Sequence, residues 1–210
     1  MLSLNDKICI CVSTHSSSRT PPARLETIRR CLQSLCDHVV PMYPHARVCV
    51  TADTVNAQHQ AILDAFPFPV VSNAENMGIA YTKNVGIDQM MKGDYTHGFL
   101  MDDDLIIKDG RAFHMYVDAM TRARVGHLSL KVGCHNHTAV EHRGVQFVMS
   151  PIVNGCLLAI DRQCILTAGY MEIPVENKNG HEHSKFSIRA VHKGCVPGFW
   201  DVKEVFDDVH

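Results

Sequence analysis

Three short apolar runs, each ending in a polar cluster, constrain this chain more than any other feature. Lys7 to Val12 is the first, and its exit Ser13-Thr14-His15-Ser16-Ser17-Ser18-Arg19-Thr20-Pro21-Pro22 is a polar loop. Leu25, Ile28, Leu32 and Leu35 then recur at helical spacing. Arg47 to Thr51 is the second run, leaving through Ala52-Asp53-Thr54 into a helical stretch from Ala57 to Phe66. Pro67, Pro69 and Val70-Val71 lead into a third extended segment, and Asn76-Met77-Gly78 opens a helix from Ile79 to about Met91 that Gly93-Asp94 ends. Thr96 to Met101 is the last run, and it enters Asp102-Asp103-Asp104 directly. Apolar runs of this length fit strands covered on both faces. Their alternation with helices predicts an α/β fold with a mainly parallel sheet, whose ligands gather at the carboxyl ends of the strands.

The second half reads differently. A helix is expected from about Arg111 to Arg122, then strands at His127–Val132 and Gly144–Met149 separated by the turn Cys134-His135-Asn136-His137. Asn154-Gly155 leads into an apolar segment from Cys156 to Ile160, and Asp161 is placed to cap a short helix stopped by Gly169. Glu172 to Gly180 reads as a loop, Ser184 to Val191 as a helix and Val196 to Trp200 as an extended segment. No repeat or shift of composition divides residues 1–210, so one domain is expected.

The chain has 210 residues of which 46% are apolar, enough for a sizeable core. A net charge of −2 argues against a protein that holds nucleic acid mainly through a wide basic surface and leaves a local basic groove open. The nine cysteines are odd in number and never form C-x-x-C, which reads as buried free thiols in a reducing compartment. With no apolar stretch of membrane length and no signal-peptide pattern at Met1 to Lys7, a cytoplasmic protein is expected. Cys134, His135, His137 and His142 match no standard structural zinc spacing. A zinc- or nucleotide-binding module without catalysis is nevertheless an alternative for such a histidine-rich chain.

An Asp cluster at a strand exit places hard oxygen ligands at the rim of the sheet, where a divalent cation can bridge them to a diphosphate. The same cluster also suits ordinary turn and capping chemistry. The surrounding motifs resemble the GT-A fold glycosyltransferases, and most closely the family-2-type enzymes. Val12 to Thr14 and Asp53 stand where that family surrounds a nucleotide. Asn76-Met77-Gly78-Ile79-Ala80-Tyr81-Thr82-Lys83-Asn84 resembles its N-x-G segment and following helix, and Phe99-Leu100-Met101-Asp102-Asp103-Asp104 the strand that delivers its D-x-D motif. Asn154-Gly155-Cys156-Leu157-Leu158-Ala159-Ile160-Asp161-Arg162 resembles the strand beside the acceptor, and Gly180-His181-Glu182-His183-Ser184-Lys185-Phe186-Ser187-Ile188-Arg189 its G-x-E-D-x-D-L-x-x-R segment. There the sequence departs from the pattern, since His183 replaces an Asp that often serves as base.

The resemblance implies a GT-A domain with helices on both faces of the sheet, a nucleotide-sugar-binding half at 1–107 and an acceptor half at 108–210. It implies transfer of a sugar, with inversion, from a nucleotide-diphosphate donor, a UDP-sugar first among them, to a glycan, lipid-linked, protein or modified nucleic-acid acceptor. Ser13, Thr14, His15, Arg19, Asp53, Asn76, Gly78, Lys83, Asp102 and Asp103 are its expected donor-binding residues, with Asn154 and Gly155 on the acceptor side. Asp104 and His210 are expected metal ligands and Asp102 a ribose or metal contact, for Mn²⁺ or Mg²⁺, with imidazole favouring Mn²⁺. Asp103 has a structural role as its alternative. Glu182 is the first candidate for the base and His183 the second. A nucleotidyltransferase of related fold is a further alternative, but it would be expected to carry a glycine-rich phosphate loop, and Ser13 to Thr20 contains no glycine.

Overall fold

In a computed structural model, which describes residues 7–133, 136–173 and 181–205, the first apolar run becomes a strand with all seven residues buried. The elements in chain order are β1 (Ile8–Thr14), α1 (Pro22–His38), β2 (Arg47–Asp53), α2 (Ala57–Leu63), β3 (Val70–Asn73), α3 (Ile79–Lys92) and β4 (His97–Asp102). There follow α4 (Arg111–Ala123), β5 (His127–Ser129), β6 (Thr138–His142), β7 (Val145–Met149), β8 (Leu157–Asp161), α5 (Arg162–Ala168), α6 (Glu182–His192) and β9 (Trp200–Val202). The main sheet has the order β3-β2-β1-β4-β8-β5. Its first four strands are parallel, β8 runs antiparallel to β4, and β5 antiparallel to β8.

The alternation of side chains along β4 puts helices on both faces. Phe99 packs edge-on against Phe113 of α4, with ring centroids 4.8 Å apart. The next residue, Leu100, points the other way, toward Gly86 of α3. A Cβ at Gly86 would stand 2.8 Å from Cys11 Cβ, so α3 reaches β1 this closely because position 86 has no side chain. Pro22 opens α1 with φ already set for a helix, and Asp161 caps α5 by accepting from the Cys164 N–H at 2.6 Å.

The second half contains an element the sequence did not signal. Thr138–His142 is a strand, joined to β7 through Arg143 and Gly144 with φ of +52° and +74°. Positive φ at both central residues is what a two-residue hairpin needs. β6 is mostly exposed and lacks the apolar alternation that marks a strand in sequence. With β7 and β9 it forms a second, three-stranded sheet. β5 is shorter than its apolar run, and β9 begins only at Trp200. No helix among the described residues is long and apolar enough to cross a membrane.

Candidate active site

The exits of β1, β2 and β4 and the start of α3 surround an open pocket of about 270 Å³. Ser13, Thr14, His15, Arg24, Asp53, Asn76, Ile79, Thr82 and Asp102 to Asp104 line it. Parallel pairing brings these residues together, because adjacent parallel strands end at the same rim.

The acidic triplet alternates in exposure. Asp102 is half-buried, Asp103 buried and Asp104 exposed. Asp103 accepts from the Thr14 hydroxyl and the Arg24 guanidinium. Burial pushes its carboxyl up against the pull of both partners. Expected at the nucleotide, Asp103 instead ties the exits of β4 and β1 to the first turn of α1, because its oxygens are already engaged. Arg24, which sequence reading passed over, is the basic group at the pocket in place of Arg19, which lies in an exposed turn outside the lining. Its Nη1 is buried without a hydrogen-bond partner. The signal was present: Pro21-Pro22 fixes the start of α1, which places Arg24 in the first turn beside the loop.

Lys83 was expected among the donor-binding residues. It is 1% exposed, and its Nζ lies 3.0 Å from Asp102 Oδ1 and donates to the Gly155 carbonyl. Its charge is therefore spent inside the protein. The pairing with Asp102 is a charge contact off hydrogen-bond geometry, and it leaves Asp102 Oδ1 without an aligned donor.

Asp53 is buried as well. Its carboxylate accepts from the backbone N–H groups of Met77 and Gly78, both at 2.7 Å. Gly78 has φ +87°, a conformation that favours glycine, and Asn76 Oδ1 accepts from the same Gly78 N–H at 3.1 Å. The N-x-G segment is thus a turn held by Asp53, which starts α3 at the rim. Expected at the nucleotide, Asp53 has both oxygens engaged by this turn. Ser13 Oγ lies 3.4 Å from Thr51 Oγ1, and His15 Nδ1 contacts Thr54 Oγ1 at 3.0 Å and the Asp53 carbonyl. His59 of α2, also missed in sequence, lies beneath. Its Nε2 is 3.1 Å from Thr14 Oγ1 and its Nδ1 2.8 Å from Ser16 Oγ. Since Thr14 gives its proton to Asp103, His59 Nε2–H donates to Thr14 and Nδ1 accepts from Ser16. Burial, with the Arg24 and His15 charges, lowers the His59 pKa to about 4.

Across the Asp102–Lys83–Gly155 connection lies the start of α6. Gly155 has no side chain where one is excluded: a Cβ there would meet His183 Nδ1 at 2.8 Å. Asn154 donates to the Val132 carbonyl at 2.7 Å, tethering this loop to the end of the run that follows β5. Glu182 is 4% exposed and its Oε1 lies 3.1 Å from His183 Nδ1. Burial alone would raise the Glu182 carboxyl, but hydrogen bonds from His183 and its own backbone N–H, with the His183 and Lys83 charges, lower it to about 2. A carboxylate already accepting from His183 Nδ1–H and its own backbone N–H is a poorer proton acceptor than a free one, which counts against Glu182 as the base.

The donor set a hard divalent cation would meet is half-buried Asp102, whose Oδ1 already lies 3.0 Å from Lys83 Nζ, and exposed Asp104. The other expected ligand, His210, lies outside the described residues, as do Cys134 and His135. His142 packs on the Trp200 ring at 5.3 Å and His137 lines a separate surface pocket. Among the described residues neither belongs to a metal-ligating group of three.

The sequence model of glycosyl transferase family 2 matches residues 9–149. The chain is 25% identical over 205 residues to an uncharacterized glycosyltransferase of Acanthamoeba polyphaga mimivirus, covering 93% of this chain and 77% of that one. Its fold is similar to that of S. aureus TarS 1-349 solved with UDP-GlcNAc, at TM-score 0.64 and 18% identity over 89% of this chain. It is similar too to the mannosyltransferase PcManGT from Pyrobaculum calidifontis solved with GDP-Man and Mn²⁺, at TM-score 0.60 and 14% identity over 88% of this chain. The chain spans about half of each of these two structures, 54% and 52%. An α/β chain of GT-A fold, with its strand exits gathered around an acidic triplet, it belongs to glycosyl transferase family 2.

Proposed function

We propose that the chain transfers a sugar from a nucleotide-diphosphate donor to an acceptor hydroxyl, with inversion, at the pocket between the exits of β1, β2 and β4. The observation that carries this reading is the convergence of Thr14, Arg24, Asp53, Asn76, Asp102 and Asp104 at one rim, in a member of this family. The donor is a UDP-sugar, the kind of ligand in the TarS complex. Residues 1–107 hold the donor and residues 108–210 the acceptor, a hydroxyl of a glycan, a lipid-linked or protein-linked chain, or a modified nucleic-acid base. The eight free thiols among the described residues support work in the cytoplasm.

Asp102 and Asp104 would hold Mn²⁺ or Mg²⁺, which supplies Lewis-acid stabilisation to the departing diphosphate. Arg24 contributes the fixed guanidinium facing the same charge. On the acceptor side, ionised Glu182 accepts from His183 Nδ1–H, which leaves Nε2 as the basic nitrogen. His183 therefore takes the acceptor proton, and Glu182 orients it, a division of labour also seen in other carboxylate–histidine pairs.

A screen of nucleotide-sugars with Mn²⁺ or Mg²⁺, read by thermal shift and by transfer or donor hydrolysis, tests the reading. Metal-dependent stabilisation by one donor and its loss in Asp104→Ala are expected. Undiminished turnover in a folded Asp104→Ala protein would refute the metal assignment, and zinc retained by a chain inert to every donor would favour the binding-module alternative.

A further inference from the structure

Cys9, Cys11 and Cys49 sit closer together than core filling requires. In the register of β1 and β2, Cys11 faces Cys49 and Cys9 faces Arg47. Alternate residues of a strand share a face. One face of this strand pair therefore carries a square of side chains, three thiols and one guanidinium. Cys11 Sγ is 3.2 Å from Cys49 Sγ and 3.6 Å from Cys9 Sγ. All three sulfurs lie within 4.8 Å of one another, and all three residues are at most 1% exposed. Helix α3 roofs the cluster at Gly86, whose carbonyl accepts from the Cys11 thiol at 3.3 Å. The fourth corner is the open one: Arg47 is half-buried and reaches Gln89 of α3 at 3.2 Å.

We propose that Cys9, Cys11 and Cys49 form a three-coordinate site for a soft, thiophilic cation, with Cu(I) as the ion that suits it. Clustered thiolates select Cu(I) or zinc over harder ions. Structural zinc is tetrahedral and wants a fourth protein ligand, and among the described residues no fourth His, Cys, Asp or Glu joins the group. Binding requires the thiols to release their protons. The Arg47 guanidinium, facing Cys9 across the strand pair, offsets the negative charge of a thiolate-bound ion. The site pins together the two strands whose carboxyl ends carry Thr14 and Asp53, so an ion there stiffens the floor of the pocket without touching the donor.

The test is an anaerobic competition between the full chain and bicinchoninate, a chromogenic Cu(I) chelator. It is run once on folded protein and once with Cu(I) present during refolding, so that burial of the site does not decide the outcome. Wild-type chain is expected to withdraw one equivalent by at least one route, with X-ray absorption showing three sulfur neighbours and no fourth ligand. Cys9→Ser and Cys49→Ser should lose that equivalent, while Cys164→Ser, which alters a distant thiol, keeps it. Cys9→Ala and Cys49→Ala replace the serine variants if a buried hydroxyl prevents folding, with far-ultraviolet circular dichroism as the check. The proposal fails if wild type withdraws no copper by either route, or if the folded Cys9 and Cys49 variants withdraw as much as wild type. Uptake of zinc in preference to copper, with a fourth ligand, would overturn the three-coordinate assignment.

Discussion

Lys83 Nζ lies 3.0 Å from Asp102 Oδ1 and also donates to the Gly155 carbonyl, so one buried cation joins the strand that delivers the acidic triplet to the loop beneath His183. The two halves of the proposed site are held together by this residue.

Lys83→Met should therefore do more than remove a charge. It leaves half-buried Asp102 facing an apolar side chain and strips the Gly155 carbonyl of its donor, which should cost about 1–3 kcal/mol. Urea unfolding should show that loss at neutral pH. Lys83→Arg should not restore stability, because a residue only 1% exposed has no room for the larger head group. A variant as stable as wild type would mean that Asp102 and Gly155 are positioned by something else.

Arg24 separates a structural from a substrate-binding role. Its Nη2 pairs with Asp103, while the buried Nη1 has no hydrogen-bond partner. A hydrogen bond to a charged group contributes about 1.5–3 kcal/mol. Arg24→Lys keeps a charge near Asp103 but loses the fork. It should raise the donor KM about tenfold to a hundredfold with a smaller effect on kcat. If the melting temperature falls while KM stays put, Arg24 serves Asp103 alone.

How much of this was legible in the sequence differs by residue. The strand exits were readable because apolar runs ending in Asp53 and Asp102 leave few alternatives once the sheet is parallel. The partners of those residues were not. Lys83 lies in a helix where lysines are usually solvated, and only the closeness of α3 to β1, permitted by Gly86, buries it. The binding of Asp53 to the Met77 and Gly78 N–H groups is a contact between segments 24 and 25 residues apart, invisible to local pattern. β6 escaped notice because an exposed edge strand carries no apolar signature.

His183 and Glu182 can be told apart by kinetics. Removing a general base costs about 10²–10⁴-fold in rate, so His183→Ala should lower kcat by that much while sparing donor binding. Glu182→Gln retains an oxygen that accepts from Nδ1–H, so it should lose less than Glu182→Ala, and all three should be measured across pH. Gly155→Ala supplies a geometric control, since its Cβ would displace the His183 ring. A larger loss in Glu182→Gln than in His183→Ala would return the base to Glu182.

Two buried neutral histidines predict how stability responds to acid. His127 is 3% exposed; its Nδ1–H donates to the Ala159 carbonyl at 3.1 Å, which makes Nε2 the acceptor for the Ser187 hydroxyl at 2.7 Å. Burial, with the Lys131 charge opposing a second cation, lowers its pKa to about 4, as burial does for His59. Between that value and the unfolded value near 6.5 the unfolded chain binds a proton that the folded chain does not, so stability rises with pH through this window. It is fully present above about pH 6.5 and lost toward pH 4, with each histidine contributing about 3 kcal/mol. Asp201 acts in the opposite sense. Burial raises it to about 6 against the hydrogen bonds from Tyr116 and Lys131, so its contribution weakens as pH rises from about 4 toward 6. The bare pH profile therefore mixes the two, and the difference between wild type and His127→Gln isolates the histidine. In urea titrations from pH 4.5 to 7.5, that gap should widen steadily with pH and level off near neutrality. A gap independent of pH would show that His127 contributes packing and hydrogen bonds but no proton linkage.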